Sequence, residues 1–291
     1  MRVLCFGEII WDVYPTHADM GGAPLNFCAH SVKCGGEGFL LSAVGDDELG
    51  KAAINKIKEY GVNTALLEKN AKETGKCLVT LNEKGVPCYE IKKDVAYDYI
   101  RFPEALNDMR FDAVYFGTLA LRNAVSKETL LKVLESQKGA TVFCDLNLRP
   151  ECYSEETILC CLENAHILKV SDEDEKILKE FDCWRQINKK GYSALFAEYP
   201  NMDVFIITQG ENGSEIYSKD KSPIHIPAKK CQVVSTVGAG DSYSAAFLTT
   251  YLESGDLIKA GSLGSLLSAY VVSSSQAIPE YDIEKLKEQL N

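Results

Sequence analysis

Short apolar runs rich in Val, Ile and Phe alternate along the chain with longer stretches whose apolar residues recur at helical spacing. Strands are predicted at Val3–Phe6, Phe39–Ala43, Ala113–Phe116, Thr141–Asp145, Ile167–Val170 and Val204–Thr208. Helices are predicted between them, for example at Asp47–Tyr60, Ser126–Gln137, Ser154–Asn164 and Ser171–Phe181. This alternation predicts a mostly parallel sheet that is covered by helices on both faces. Ligands of such sheets tend to bind beyond the carboxyl ends of the strands.

One section departs from the alternation. Two strand-like runs within Lys76–Ile91 are separated by Glu83-Lys84-Gly85, which predicts a β-hairpin. With a short strand at Trp11–Tyr14, this hairpin is expected to form a small sheet that projects from the main body as a lid. The lid strands are expected within about residues 10–16 and 76–100.

The remaining pattern favours a single domain. A second hairpin is predicted around Ile216–Ile226, and the apolar spacing after Gly240 predicts two or three helices. No internal repeat, low-complexity segment or Pro/Gly/Ser-rich linker interrupts the chain. Residues 1–291 are therefore expected to form one α/β domain with an inserted lid.

Composition narrows the possible partners and the compartment. The net charge is −11 and no basic stripe is present, which argues against a nucleic-acid partner. The 11 cysteines include no C-x-x-C pair and the 4 histidines are scattered, so neither a zinc site nor a disulfide framework is indicated. The first residues, MRVLCFGEII, lack the features of a signal peptide, so none is expected, and no apolar run approaches the ~20 residues that span a bilayer. A cytoplasmic protein that does not bind membranes is expected.

The most informative segment is a glycine turn, Gly238-Ala239-Gly240, which follows a β-rich run and precedes a strongly helical apolar pattern. Small residues let the backbone turn tightly and direct several N–H groups at one point. The helix N-terminus adds unpaired donors and a positive dipole end, so the turn suits a phosphate or a phosphoryl group in transfer. Asp241 follows directly. It could cap the helix, or its carboxylate could accept a proton from a hydroxyl beside the phosphate, and both could hold at once.

Two other nucleotide-binding motifs match the sequence only in part. Gly238-x-Gly240 begins like a dinucleotide fingerprint, but Tyr243 takes the third glycine position and the segment lies near the C-terminus. Gly45–Ala52 nearly spells a P-loop, but it lacks the Ser or Thr that binds Mg²⁺ and carries acidic residues that would repel phosphate. Hydride transfer and a P-loop mechanism are therefore poorly supported.

Seven short motifs follow one another along the chain, at Gly7–Asp12, Gly21–Asn26, Val44–Gly50, Asp145–Arg149, Lys169–Asp174, Thr208–Gly213 and Gly238–Asp241. Their order and spacing resemble the PfkB/ribokinase family of carbohydrate kinases, particularly its fructokinase-like members, nearly from end to end. The resemblance implies a ribokinase-like three-layer sandwich. It also implies an ATP-dependent kinase whose lid closes over the sugar and often pairs with the lid of a second subunit, giving a homodimer.

The resemblance further implies a role for each motif residue. Asp241 matches the general base, and the N–H groups of Gly238, Ala239 and Gly240 match the anion hole. Sugar-binding positions are matched by Asp12, Gly22 and Asn26, with Arg149 at the edge of the active site. ATP-binding positions are matched by Ser171, Thr208, Gly210 and Gly213. Asp174 matches a residue linked to Mg²⁺.

Simpler interpretations remain open for several of these residues. Asp12 could be a turn residue, Asn26 a helix cap or a solvated side chain, and Arg149 a surface charge. Ser171-x-x-Asp174 has the spacing of a capping box, which competes with the metal role.

The chain departs from the family at the monovalent-cation site. Ser235-Thr236 stands where the family often has Asp-Thr, and Gln276 stands where a glycine is common. A hydroxyl replaces a carboxylate, so the site is expected to lose its charge, and whether potassium activates the protein stays open.

The predicted function is ATP-dependent phosphorylation of a hydroxyl of a small free sugar, with a fructose-like sugar preferred. Other acceptors stay open, namely 2-keto-3-deoxygluconate, ribose, a nucleoside or a phosphosugar. A phosphosugar would require the basic residues near the lid, which are Lys76, Lys84, Lys92, Lys93 and Arg101. A sugar- or nucleotide-binding regulator without catalytic activity is the alternative from another functional class.

Overall fold

The computed structural model describes residues 1–81, 87–219 and 221–290. Its strands are β1 (Arg2–Phe6), β2 (Ile10–Val13), β3 (Ala18–Gly21), β4 (Glu37–Gly45), β5 (Leu67–Asn70), β6 (Gly75–Leu81), β7 (Pro87–Ile91), β8 (Ala113–Gly117), β9 (Thr141–Asp145), β10 (Ile167–Ser171), β11 (Val204–Thr208), β12 (Ser214–Ser218) and β13 (Ile224–Ile226). Its helices are α1 (Ala23–Lys33), α2 (Glu48–Glu59), α3 (Ala124–Ser136), α4 (Glu155–Asn164), α5 (Asp172–Leu178), α6 (Asp182–Lys190), α7 (Leu195–Glu198), α8 (Ala239–Ser254), α9 (Leu257–Val272) and α10 (Ile283–Glu288).

The main sheet is mostly parallel. Within the described residues it has nine strands in the order β13-β12-β11-β10-β9-β8-β1-β4-β5. The strands from β11 to β5 pair in parallel, whereas β12 and β13 are added antiparallel at one edge. The parallel strands bring their carboxyl ends to one edge of the sheet, where ligands of such folds bind.

The sheet separates two apolar layers. Side chains of β1 alternate between them, since Val3 and Cys5 pack with α1 and α8 whereas Leu4 and Phe6 pack with α3 and α4. Strands that are buried on both faces read as nearly continuous apolar runs, which is the pattern seen in the sequence. The three-layer α/β architecture predicted from the alternation is confirmed.

The structure also confirms the six predicted strands and the second hairpin, now β12 and β13, as well as the helices after Gly240. Strands β3 and β5 and the helix α6 were not predicted. In the part of the chain that the structure describes, no helix is long and apolar enough to cross a membrane.

A second, smaller sheet forms the lid. Its strands among the described residues lie in the order β3-β2-β6-β7. β2 pairs in parallel with β6, and the other two pairings are antiparallel. The predicted turn at Glu83-Lys84-Gly85 lies outside the described residues.

A buried ion pair anchors the chain where it leaves the lid. The lid strands end at Ile91, and residues 96–99 form a 3₁₀ turn that packs into the main core. Arg122 donates to both carboxylate oxygens of Asp98, at 2.8 and 2.9 Å, and to the carbonyl of Lys92 at 2.6 Å. A bidentate guanidinium–carboxylate pair restricts orientation as well as distance, so it fixes the point from which the lid projects.

Candidate active site

The glycine turn places Asp241 in the first turn of α8. Gly238 is the N-cap residue, with a left-handed φ of 81°, and a Cβ there would lie 2.7 Å from the carbonyl oxygen of Ala277. Both features require glycine, because a side chain would be strained and would collide with backbone. The turn therefore exists because this sequence has no side chain at residue 238.

The start of α8 presents free N–H donors. Ala239 N–H donates a long hydrogen bond to the carbonyl of Thr236 at 3.3 Å. The N–H groups of Gly238, Gly240 and Asp241 have no acceptor among the described residues, and Gly240 is exposed. Unpaired N–H groups at the positive end of a 16-residue helix form a site for an anion.

The Asp241 carboxylate is buried beside these donors, with 9% of the residue exposed. Asn26 on α1 donates through Nδ2 to its Oδ2 at 2.8 Å. Burial raises the pKa of Asp241 to about 6, although the hydrogen bond from Asn26 opposes this rise. Asn26 was predicted to bind sugar, and here it orients Asp241, while its own Oδ1 is buried without a partner among the described residues.

A buried ion pair lies beneath the turn. Lys169 Nζ contacts Asp145 Oδ2 at 2.6 Å, and the two residues lie in register on β10 and β9. Ser244 on α8 donates to the same oxygen at 3.2 Å. A Cβ at Gly240 would lie 3.4 Å from Lys169 Nζ, so this cation lies next to the open N–H groups. Neither charge was assigned a role from the sequence, although a lysine within an apolar strand signals a buried partner.

The lid and the loop after β9 contribute two further charged side chains, Asp12 and Arg149. Asp12 on β2 is half-buried, and burial raises its pKa. The exposed guanidinium of Arg149 acts in the opposite direction and lowers the pKa of both Asp12 and Asp241 by charge attraction. Arg149 has no ion-pair partner within the described ranges, so it is available to an anionic ligand.

The backbone of Gly22 packs closely against the backbone of Glu8. A Cβ at Gly22 would lie 2.4 Å from the carbonyl oxygen of Glu8, and its φ is 121°. The buried Glu8 accepts a hydrogen bond from the Ala23 N–H at 3.1 Å, and burial raises its pKa to about 7. Glu8 was not singled out from the sequence. An acidic residue two positions after an apolar strand was the only available signal.

The predicted ATP-binding residues lie at the carboxyl ends of β10 and β11. Ser171 and Thr208 are paired in register at these two ends. The turn after β11 contains Gly210 and Gly213, joined by a hydrogen bond from Gly213 N–H to the Gly210 carbonyl at 3.1 Å. A Cβ at Gly213 would lie 2.1 Å from the carbonyl oxygen of Ile226, so glycine is needed there.

Asp174 has protein partners on both oxygens. Ser171 donates to its Oδ2 from N–H and Oγ at 3.0 and 2.8 Å, which forms the capping box at the start of α5. The other oxygen accepts the Leu148 N–H at 2.8 Å and so ties down the loop that carries Arg149. Over the described ranges, no group of three His, Cys, Asp or Glu residues could hold a metal. These contacts favour the capping role, and Mg²⁺ does not fit here as a directly bound resident ion.

The two departures at the monovalent-cation site lie in loops with hydroxyl contacts. Ser235 Oγ accepts the Val237 N–H at 3.3 Å, and the Gln276 N–H donates to Ser274 Oγ at 3.1 Å. The backbone of residues 234 and 235 is held by the carbonyl of Val272 at 2.9 and 3.2 Å.

The chain is similar in sequence and structure to proteins that are described as sugar kinases. An uncharacterized sugar kinase of Pyrococcus horikoshii is 31% identical over 266 residues, which cover 86% of this chain and 79% of that protein. Its crystal structure matches with a TM-score of 0.82 over 99% of this chain and 97% of that chain. Fructokinase-2 of Zea mays is 27% identical over 84% of this chain and 78% of its own length.

Further structural similarity is found to a fructokinase. The structure of fructokinase with bound ATP from Xylella fastidiosa matches with a TM-score of 0.86 at 19% identity, over 99% of this chain and 98% of that chain. The sequence pattern of the pfkB family carbohydrate kinases matches residues 3–284. The chain therefore belongs to the pfkB family of carbohydrate kinases and is a phosphotransferase.

Proposed function

We propose that the protein transfers the γ-phosphoryl group of ATP to a hydroxyl of a small free sugar, and that a fructose-like sugar is the preferred acceptor. The observation that carries this proposal is the position of Asp241. Its buried carboxylate is held by Asn26 at 2.8 Å, in the same helix turn as the free N–H groups of Gly238 and Gly240. A base and an anion site therefore adjoin each other.

The chemistry follows from this arrangement. Asp12, Gly22 and Asn26 orient the sugar so that one hydroxyl faces Asp241, whose carboxylate accepts the proton as the phosphoryl group is transferred. A pKa of about 6 leaves Asp241 ionised at neutral pH and makes it a better base than an ordinary aspartate. Because the transition state of phosphoryl transfer is largely loose, positioning and charge stabilisation dominate.

Neutral donors and two cations stabilise the charge on the phosphoryl oxygens. The donors are the N–H groups at the start of α8. The Lys169 ammonium lies next to Gly240, and the Arg149 guanidinium lies near enough to lower the pKa of Asp241. Fixed donors of this kind stabilise charge without reorganising during the reaction.

ATP is assigned to the carboxyl ends of β10 and β11. Ser171, Thr208, Gly210 and Gly213 line this edge, and a fructokinase of the same fold has been solved with ATP bound. Mg²⁺ arrives as part of the Mg·ATP substrate, where it neutralises phosphate charge. Oδ1 of Asp174 accepts one hydrogen bond, from Leu148, so it keeps a lone pair that could accept a bond from a water of that ion.

Free sugars are favoured over phosphosugars by the charges near the lid. Lys76 Nζ lies 3.0 Å from Glu73 Oε2, and Lys92 Nζ lies 2.7 Å from Glu90 Oε1. These ammonium groups are already paired with carboxylates, and Lys84 lies outside the described residues. The fructokinase relative supports a ketose, whereas the riboside kinase of Salmonella enterica, which shares the fold at a TM-score of 0.81, keeps nucleosides among the acceptors to be tested.

The proposal includes a homodimer formed through the lid and a cytoplasmic location. In the described part of the lid sheet the outermost strands are β3 and β7, strands at a sheet edge can pair with another strand, and Tyr89 on β7 is 64% exposed. Apart from Cys88, the cysteines of the described residues are free thiols, which supports a reducing compartment.

The test is an ADP-release assay with Mg·ATP over free hexoses, pentoses, sugar acids and nucleosides. We expect release with one class of acceptor, fructose-like sugars, well above the background without acceptor. The Asp241→Asn protein, purified in parallel, corrects for contaminating kinases. Release with nucleosides alone would overturn the acceptor, and background rates across the whole panel would favour the non-catalytic regulator.

A further inference from the structure

We propose that the Cys77 thiol is a positioning residue of the sugar site, which holds the Asp12 carboxylate in the orientation that receives the sugar hydroxyls. The inference rests on the proposed function, because it assumes that Asp12 binds the sugar. It assigns a role to a lid residue that no sequence motif indicated.

The geometry of the lid places the two side chains together. Asp12 on β2 and Cys77 on β6 are partners in the parallel register between these strands. Neighbouring residues at one register position project from the same face of a sheet, so their side chains meet. Cys77 is only 4% exposed, so its thiol is buried on the face of the lid sheet that carries Asp12, and the two groups lie close enough to change each other's pKa.

The direction of the proposed hydrogen bond follows from the chemistry of the groups. An ionised carboxylate can only accept, so the thiol would donate. Burial and the negative charge of Asp12 together raise the pKa of Cys77 to about 11, which keeps the thiol protonated at neutral pH. Cys77 is therefore a permanent donor and not a reactive thiolate.

The charged residues around Asp12 act on its carboxylate by attraction or repulsion and do not fix its orientation. Arg149 attracts the Asp12 carboxylate and Asp19 on the neighbouring strand repels it, but neither hydrogen-bonds it. Tyr14 lies nearby, and burial together with the charge of Asp12 raises its pKa. Among the described residues, Cys77 is the donor that lies beside Asp12 in the register of the adjacent strand. Because the donor comes from the adjacent lid strand, the carboxylate is oriented only while β2 and β6 are paired.

The main test compares Cys77→Ala with Cys77→Ser. Loss of a hydrogen bond to a charged group should raise the KM for the sugar about fivefold to tenfold, with kcat and the KM for ATP changed less than about twofold. The acid limb of kcat/KM for the sugar should move to higher pH in Cys77→Ala, because the thiol lowers the pKa of Asp12. Cys77→Ser keeps a donor and should restore both quantities.

Three further variants make the result specific. Cys160→Ala removes a buried thiol from α4, outside the lid, and should leave the sugar KM unchanged. Cys77→Val keeps the bulk without the donor and replaces Cys77→Ala in the comparison if that protein does not fold. Asp12→Asn should raise the sugar KM further, and adding Cys77→Ala to it should have little additional effect, since the two residues act through one contact.

The outcomes separate this inference from the proposed function. If Asp12→Asn leaves the sugar KM unchanged, the sugar-binding role of Asp12 is wrong. If Asp12→Asn raises the KM but Cys77→Ala behaves like the wild type, the proposed function stands and the role of Cys77 is overturned. A raised KM that Cys77→Ser does not restore would also overturn it, because packing alone would explain the loss.

Discussion

Replacing Asp241 by Asn is expected to lower the turnover number by about 10² to 10⁴ while changing the KM for ATP little. The amide has nearly the shape of the carboxylate and can still accept the hydrogen bond from Asn26, but it cannot take a proton from the sugar hydroxyl. The N–H groups at the start of α8 are backbone groups and remain in place. The measurement is steady-state ADP release at saturating sugar and ATP.

Two controls separate catalysis from helix capping and stability. Asp256 caps α9 by accepting the N–H groups of Ile258 and Lys259, and Asn caps helices equally well, so Asp256→Asn should retain full turnover. Burial raises the pKa of Asp241 from 3.8 to about 6, so its ionisation costs stability as the pH rises through this interval. At pH 8 the Asp241→Asn protein should thus melt no lower than the wild type. Undiminished turnover of the Asp241→Asn protein would contradict the assignment of Asp241 as the base.

Replacing Lys169 by Met is expected to lower the free energy of unfolding by about 3–5 kcal/mol at pH 8. Lys169 and Asp145 are both almost fully buried and lie 2.6 Å apart, so removal of the ammonium group leaves a carboxylate charged and unpaired in the core. Burial already raises the pKa of Asp145, and Lys169 opposes that rise. The measurement is urea unfolding followed by circular dichroism.

The pH dependence and a second substitution identify the cause. Without Lys169 the pKa of Asp145 rises further, so the loss of stability should shrink as the pH falls and the carboxylate becomes protonated. Asp145→Asn combined with Lys169→Met should recover much of the loss, because no charge is then buried. Lys51→Met, which removes one partner of an exposed pair with Glu48, should have little effect. Equal effects of Lys169→Met and Lys51→Met would show that the buried pair does not stabilise the fold.

The sequence predicted the elements with the strongest periodicity and missed the short polar ones. Buried strands such as β9 and β11 appear with the expected bounds, because a continuous apolar run bounded by polar residues has few other solutions. β3 and β5 contain charged residues and depend on pairing with β2 and β4, so their local sequence gave no signal. The strand propensity of these segments is set by their neighbours.

The candidate site residues divide in a similar way. The glycine turn predicted Asp241 as a candidate, because few sequences form such a turn at a helix start, and the family resemblance added Gly22. Contacts between distant segments were not predictable, since the Asn26–Asp241 hydrogen bond joins residues 215 positions apart. Lys169 and Cys77 were missed for the same reason, because each acts through a partner on another strand.

The proposed phosphoryl transfer depends on one arrangement, in which the acceptor hydroxyl lies between the Asp241 carboxylate and the N–H groups that begin α8. The most direct measurement is a crystal structure of the protein with fructose, ADP and aluminium fluoride, which mimics the transferring phosphoryl group. We expect one sugar hydroxyl within about 2.6–3.2 Å of the Asp241 carboxylate, with the fluoride group against the N–H of Gly240. A sugar bound away from Asp241, or a fluoride group that contacts none of these N–H donors, would contradict the account.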